Sequence, residues 1–410
     1  MSGHLAATLP HGPLVDIFHY AIDVPNDIRA HGGFLASWDS NESMKQLALV
    51  CKGWLPAAMA VLYRSVAHTF PEAGEAFLRS LARTPSHAGK VRFLVLSLGE
   101  EAVTGFDTPK TALQYFRASL ALVYVLQAAS SNLTHLQLHP LHAAAREPLF
   151  TALRAATSLR VLVCSPRFYE PDARLMGEEG TWGVDLYSRT DLYDLALPPL
   201  LHTLELDFES SWSARDLPIQ NGLNVSRLRK LRLRCDTDQE VLWQVLGKCT
   251  ELEVCELYFE RLLSRDETTA ALRASTASMK HLSFMSNPTL DDLAFFDQTQ
   301  EPIFDRLLPM YAQLETLAVS ATEVSAEVFR LIPPSLKSLE VQAFNHVSMF
   351  RFTPQMVQDL ATPAFAQDLQ SVRVHDAAEA WEEQDIAQLK AACERRGIEF
   401  WFHADSETGL

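Results

Sequence analysis

The sequence predicts an α/β fold: a stack of parallel strands laid down in chain order, preceded by a small helical module. Three observations carry the expectation. A short apolar formula (apolar, two others, apolar, one other, apolar) returns from near residue 91 to near residue 374. Five of the intervals between its central residues are 22 to 27 residues long, room for one strand and one helical return. Residues 8 to 66 break the formula and space their apolar residues three and four apart.

Val91–Leu94–Leu96 opens the strand series. It continues through Leu133–Leu136–Leu138, Leu159–Leu162–Cys164, Leu201–Leu204–Leu206, Leu228–Leu231–Leu233 and Leu252–Cys255–Leu257. Met279–Leu282–Phe284, Leu314–Leu317–Val319, Leu336–Leu339–Val341 and Leu369–Val372–Val374 complete it. The last two apolar residues of each unit lie two apart, on one face of an extended strand. A single such strand cannot bury that face; stacked copies build a continuous core. The longer intervals, 33 to 42 residues, read as units carrying insertions. A doubly wound sheet also alternates strands and helices, but ten near-identical formulas and no glycine-rich turn argue against it. The pattern resembles the irregular leucine-rich repeats of eukaryotic proteins. The resemblance implies a solenoid with a concave parallel sheet over residues 68–403, followed by a tail at 404–410. The asparagine that such repeats place after the strand is present only as Asn287.

Two further segments extend the reading. Ala377 to Arg395, with Trp381, Ile386, Leu389 and Cys393, reads as a capping helix stopped by Gly397. Ile398, Phe400 and Phe402 then alternate as a final strand. The insertion before Leu314, with Phe295, Phe296 and Phe304, reads as an extra packed helix, and Ala118 to Ala129 as a buried one.

Composition narrows the function. Apolar residues make up 48% and charged residues 21% of the 410, ordinary for a folded chain. The formal charge of −16 opposes phosphate-backbone binding, so nucleic acid is not an expected partner. No apolar run approaches ~18 residues, so no membrane span is expected. The N-terminus carries no secretory pattern. The six cysteines form no CxxC pair, and two sit in apolar slots of the formula, which reads as buried thiols. The expected location is cytoplasmic, nuclear or both.

In the N-terminal segment, Leu14, Ile17, Phe18 and Ala21 form one helical stripe. Leu47, Val50, Cys51 and Trp54 form a second, and Ala58, Val61 and Leu62 a third. Pro10 and Pro13 stand where a helix start tolerates a missing N–H. The segment resembles the F-box. Leu9–Pro10 matches the opening Leu-Pro of that family, and Leu14, Ile17 and Phe18 match its apolar helix. Leu49, Val50, Cys51, Lys52 and Trp54 match the L-x-x-V-C-K-x-W segment, and Leu62 to Val66 its ending. His11–Gly12 replaces the usual acidic residue, and residues 24–44 insert a polar loop. The helical domain is thus set at 8–67, after a tail at 1–7. The whole chain resembles the F-box proteins abundant in fungi.

That resemblance implies an adaptor of a cullin–RING ubiquitin ligase of the SCF type, without catalytic residues or cofactor. Its F-box would dock on the Skp-type linker, and through it a cullin, while the repeats hold the protein to be ubiquitinated. By the same resemblance Leu9, Pro10, Leu14, Ile17, Phe18, Val50, Cys51, Trp54 and Leu62 are the linker contacts. Packing within the small domain is the other role open to each of them. A leucine-rich-repeat scaffold acting outside a ubiquitin ligase is the alternative.

Outward positions follow from the strand register. Arg232 is expected between Glu205 and Glu256, and Arg234 between Asp207 and Tyr258. A cross-strand ion ladder is the plainer reading of that group, and a target-binding spot built on Arg232, Arg234 and Tyr258 the other. The long insertion at 166–197 carries Phe168, Tyr169, Trp182 and Tyr187, aromatic residues suited to an interface. His135, His139 and His142 lack the glutamate and the helix of a zinc-protease motif. His375–Asp376 follows the last formula strand with no nucleophile placed beside it. No metal site and no catalytic residue are expected.

Overall fold

The computed structural model describes residues 10, 14–15, 52–70, 72–98, 109–138, 141–142, 146–164, 168–171, 184–185, 198–207, 225–234, 243, 245–259, 264–286, 301–343, 350, 353–362, 364–377 and 381–405. The chain is α/β, and its principal strands run parallel in sequence order. It divides into two compact units: Met1–Thr190 with Asp194–Leu201, and Asp191–Tyr193 with His202–Leu410. The N-terminal helical residues therefore share a unit with the first strands.

The first unit contains α1 (Leu55–Leu62), β1 (Ser65–Phe70), α2 (Glu72–Arg83), α3 (Pro85–Ala88), β2 (Phe93–Leu98) and α4 (Pro109–Ala129). β3 (His135–Leu138), β4 (Leu141–His142), α5 (Arg146–Ala155), β5 (Val161–Cys164), β6 (Phe168–Pro171) and β7 (Val184–Asp185) follow. Strands β1, β2, β3 and β5 are parallel neighbours, and the formula sets their register: Leu94 pairs with Leu136, and Leu136 with Leu162. The sheet opens one strand earlier than Val91–Leu94–Leu96. In β1, Val66 and His68 stand level with Leu94 and Leu96, and the histidine interrupts the apolar formula. This strand also crosses the expected domain boundary at 67/68. Over α4, Ala118, Leu122, Val125 and Ala129 are buried at helical spacing, the expected buried helix, while Tyr124 is exposed.

The second unit is more regular. Its strands are β8 (Thr203–Asp207), β9 (Lys230–Arg234), β10 (Val254–Phe259), β11 (His281–Ser286), β12 (Thr316–Ser320), β13 (Ser338–Gln342), β14 (Ser371–Ala377) and β15 (Glu399–Asp405). Between them stand α6 (Arg265–Leu272), α7 (Ile303–Leu307), α8 (Val328–Leu331), α9 (Pro354–Ala361) and α10 (Glu383–Arg395). From Leu231 and Leu233 to Val372 and Val374, every inward pair is at most 2% exposed. Each such side chain contributes roughly 1.5–3 kcal/mol through burial. Phe304, in the expected extra helix, packs edge-on against Phe284 at 5.5 Å.

Three periodic devices hold successive strands in register. At the heads of β8 to β13 one carbonyl accepts two consecutive N–H groups from the next strand. Arg229 O takes Glu253 N and Val254 N, Glu253 O takes Lys280 N and His281 N, and Lys280 O takes Glu315 N and Thr316 N. A polar side chain just before the first apolar residue of a formula donates to a carbonyl of the preceding unit. Asn132 reaches Gly89 O, Ser158 reaches Ser131 O, Ser278 reaches Thr250 O and Leu252 O, and Ser335 reaches Leu314 O. These hooks precede the strand, whereas the expected asparagine would follow it. The third device is an alternating row of charge: Arg229, Glu253, Lys280, Glu315 and Lys337 occupy equivalent positions on adjacent strands. Three of its four steps are ion pairs, at 3.9, 2.8 and 2.8 Å. The Lys280 hydrogen bond holds the Glu253 carboxyl below its ordinary range, and the Lys337 hydrogen bond does the same for Glu315.

The capping segment differs from expectation at its start. β14 runs through Ala377, which pairs with Asp405, so Ala377 is strand and the helix begins at Glu383. Trp381 lies before the helix, buried between Phe350 and Phe402. Glu383 and Asp385 occupy the first turn and Arg395 the last, each matching the helix dipole. Gly397 adopts φ +72°, the left-handed conformation that ends the helix. β15 then follows as the expected final strand, parallel to β14.

Candidate functional site

The helical segment builds a small core of its own. Leu14, Ala57, Ala58 and Val61 are buried together, with Val15, Trp54 and Leu62 packed half-buried around them. Leu14 is 2% exposed, so its side chain packs within the chain and is closed to a partner. Pro10 is exposed, and Leu14 N donates to its carbonyl at 3.2 Å. Leu55 is 45% exposed at the first position of α1, where Pro56 follows without an N–H to satisfy. Leu55 was outside the expected contact set, although it lies three residues before Ala58 and seven before Leu62 on the third stripe; its exposure is what marks it. Leu9, Ile17, Phe18, Val50 and Cys51 lie outside the described residues.

On the outward face of the second unit, the register expected from sequence is observed. Arg232 stands level with Glu205 on one side and Glu256 on the other. Arg234 stands level with Asp207 and Tyr258. The pairing within that frame is shifted. Arg232 Nε meets Glu256 at 3.3 Å, while Glu205 is taken at 2.7 Å by Lys230, two residues before Arg232 on the same strand. These are half-exposed pairs worth at most about 1 kcal/mol each. Tyr258 is half-buried. Beyond Glu256 the row falls to Ser283 and Ala318, then rises to Glu340, Arg373 and Trp401.

The insertion after β5 contributes β6 and β7 to a second, three-stranded sheet. β4 pairs parallel with β6, setting Phe168 level with Leu141 and Tyr169 level with His142. β6 and β7 pair antiparallel. Trp182 and Tyr187 lie outside the described residues.

Two of the histidines, His135 and His375, have structural partners, and the described thiols are buried. The His135 ring stacks on Phe93 at 4.4 Å and its Nδ1 lies 2.9 Å from Thr134 Oγ1. His142 belongs to β4, and His139 lies outside the described residues. His375 and Asp376 lie within β14 rather than after it. His375 Nε2 is 3.6 Å from Glu340, and its ring meets His403 edge-on at 5.7 Å. Among the described residues no group of three or more His, Cys, Asp or Glu side chains could hold a metal. Burial pushes the Cys249 and Cys393 thiols up to about 12 and raises Cys255 well above its ordinary value, so they stay protonated. No helix among the described residues is long and apolar enough to cross a membrane.

One buried polar pair was missed from sequence. Arg265, at the start of α6, donates to Thr322 O at 3.0 Å and lies 3.7 Å from the Glu323 carboxylate, both side chains at most 3% exposed. Burial pushes the Glu323 carboxyl up to about 7 against the pull of Arg265. The arginine reaches across 57 residues to Thr322, and no periodicity reports such a contact.

No family model matches the sequence, and no curated protein matches it either.

Proposed function

We propose that the protein is the substrate-recognition adaptor of an SCF-type ubiquitin ligase. The helical segment docks on a Skp-type linker, and the repeat strands hold the target protein. The observation that carries this reading is the exposed apolar edge of the helical segment, Leu55 with half-buried Trp54 and Leu62, beside a parallel repeat sheet. A small helical module that leaves such a surface is completed by another chain. The quoted F-box residues name that chain as a Skp-type linker. Linker contact falls to Pro10, Leu55, Trp54 and Leu62, with Leu9, Ile17, Phe18, Val50 and Cys51 as the further contacts the resemblance supplies. Leu14 acts as packing. The target lies on the outward sheet face around Arg232, Arg234 and Tyr258, with the insertion at 166–197 as its second element. The adaptor itself performs no bond chemistry; it holds the target where a charged conjugating enzyme reaches it.

Co-expression with a Skp-type linker tests the reading. A soluble one-to-one complex is expected, lost on Leu55→Asp or Ile17→Asp with the circular dichroism of the variants unchanged. A folded chain that never retains the linker makes the protein a repeat scaffold outside the ligase.

A further inference from the structure

The last strand of the second unit is unfinished. Among the described residues β15 pairs only with β14, leaving the backbone groups of its other edge without a ladder. Every earlier inward pair from β9 onward is at most 2% exposed, yet Phe400 and Phe402 are only half-buried. On the other face Trp401 is 61% exposed. The strand, Glu-Phe-Trp-Phe-His-Ala-Asp, has neither the lysine nor the proline that usually guards an edge.

We propose that two copies of this chain join edge to edge through β15, antiparallel, about a two-fold axis passing beside Trp401. The sequence of the strand is complementary to itself in that register. Trp401 faces its own copy on the outward side, Phe400 faces Phe402 twice on the core side, and Glu399 faces His403 twice. Cross-strand aromatic and acid–base pairs of this kind stabilise a ladder. Sliding the axis to Phe402 sets Glu399 against Asp405, two carboxylates directly opposed. Sliding it to His403 sets Trp401 against Asp405. An odd slip would set core-facing against outward-facing residues, which a two-fold axis normal to the sheet forbids. The occupant this edge fits best is therefore its own duplicate. The inference is independent of the ligase reading.

The test uses the full chain. Sedimentation over a range of concentrations is expected to show a reversible dimer. Trp401→Glu, which opposes two carboxylates at the axis, is expected to weaken it on the order of tenfold or more. Under oxidation Trp401→Cys is expected to yield a covalent dimer, because directly opposed residues bring Cβ atoms within disulfide reach. His403→Cys, whose opposite number is Glu399, is expected to give no more than wild type. A chain that is monomeric at every concentration overturns the proposal. So does His403→Cys cross-linking in preference to Trp401→Cys. A dimer that appears only on deleting residues 406–410 would assign the edge to the chain's own tail and equally overturn it.

Discussion

Replacing Arg265 by Met should destabilise the second unit in a manner that depends on pH. Glu323 is the reason. Its carboxyl is raised from 4.5 to about 7 in the folded chain, first by burial, with Arg265 opposing the rise. A folded value above the unfolded one means that the protonated form is the better folded form. The resulting stability is complete below pH 4.5 and is lost as pH rises through 7, about 3 kcal/mol in all. Without Arg265 the carboxylate has no opposing charge, and the carboxyl stays protonated to higher pH than in wild type. At pH 5 the variant loses the hydrogen bond to Thr322 O, roughly 1.5–3 kcal/mol for a charged donor. At pH 8 the loss is larger, because wild type has released a proton the variant still holds. Urea titrations of wild type and variant at pH 5 and pH 8, compared pairwise, read the difference. An equal loss at both pH values, or a larger one at pH 5, refutes the linkage between the two groups.

Other consequences are local. Cys249, three pH units above its ordinary value, should react with iodoacetamide at pH 8 on the order of a thousandfold more slowly folded than in urea; equal rates would mean the thiol is accessible. Phe284→Ala removes a ring in contact with Phe259 and Phe304 and should cost about 3–5 kcal/mol by chemical denaturation. A loss under 1 kcal/mol would mean that the site collapses freely. Gly397→Ala forces a side chain into φ +72°, though no atom lies within 4 Å of the added carbon. The expected cost is about 1 kcal/mol, all of it backbone, and a neutral result would mean that the helix end relaxes.

Much of the strand series was legible because a buried parallel stack demands the same apolar slots each time. The formula located β2, β3, β5 and every strand from β8 to β14, and the alternation of Phe400 and Phe402 located β15. It failed at β1, where His68 stands level with a slot that in every formula is apolar. It also misjudged Ala377, because alanine and glutamate favour helix locally while pairing with Asp405 overrides that preference. The charge row from Arg229 to Lys337 fills the open position after the first apolar residue of each formula and emerges only once the strands are aligned. Of the surface group, positions were legible and partners were not. Register fixes which residues are level, but Lys230 reaches Glu205 because a long flexible side chain can cross the level. Leu14 shows the same limit: spacing places it on an apolar stripe without saying whether the chain's own helices cover that stripe. Leu55 is the converse, an apolar residue in line with buried Ala58 that the fold leaves in solvent.

On the proposed function, the helical segment rather than the sheet meets the Skp-type linker. Hydrogen–deuterium exchange on the full chain, with and without a bound Skp-type protein, measures this directly. New protection is expected over residues 52–64, with unchanged exchange over β9 to β14. Protection confined to those strands, with residues 52–64 exchanging as before, would contradict it.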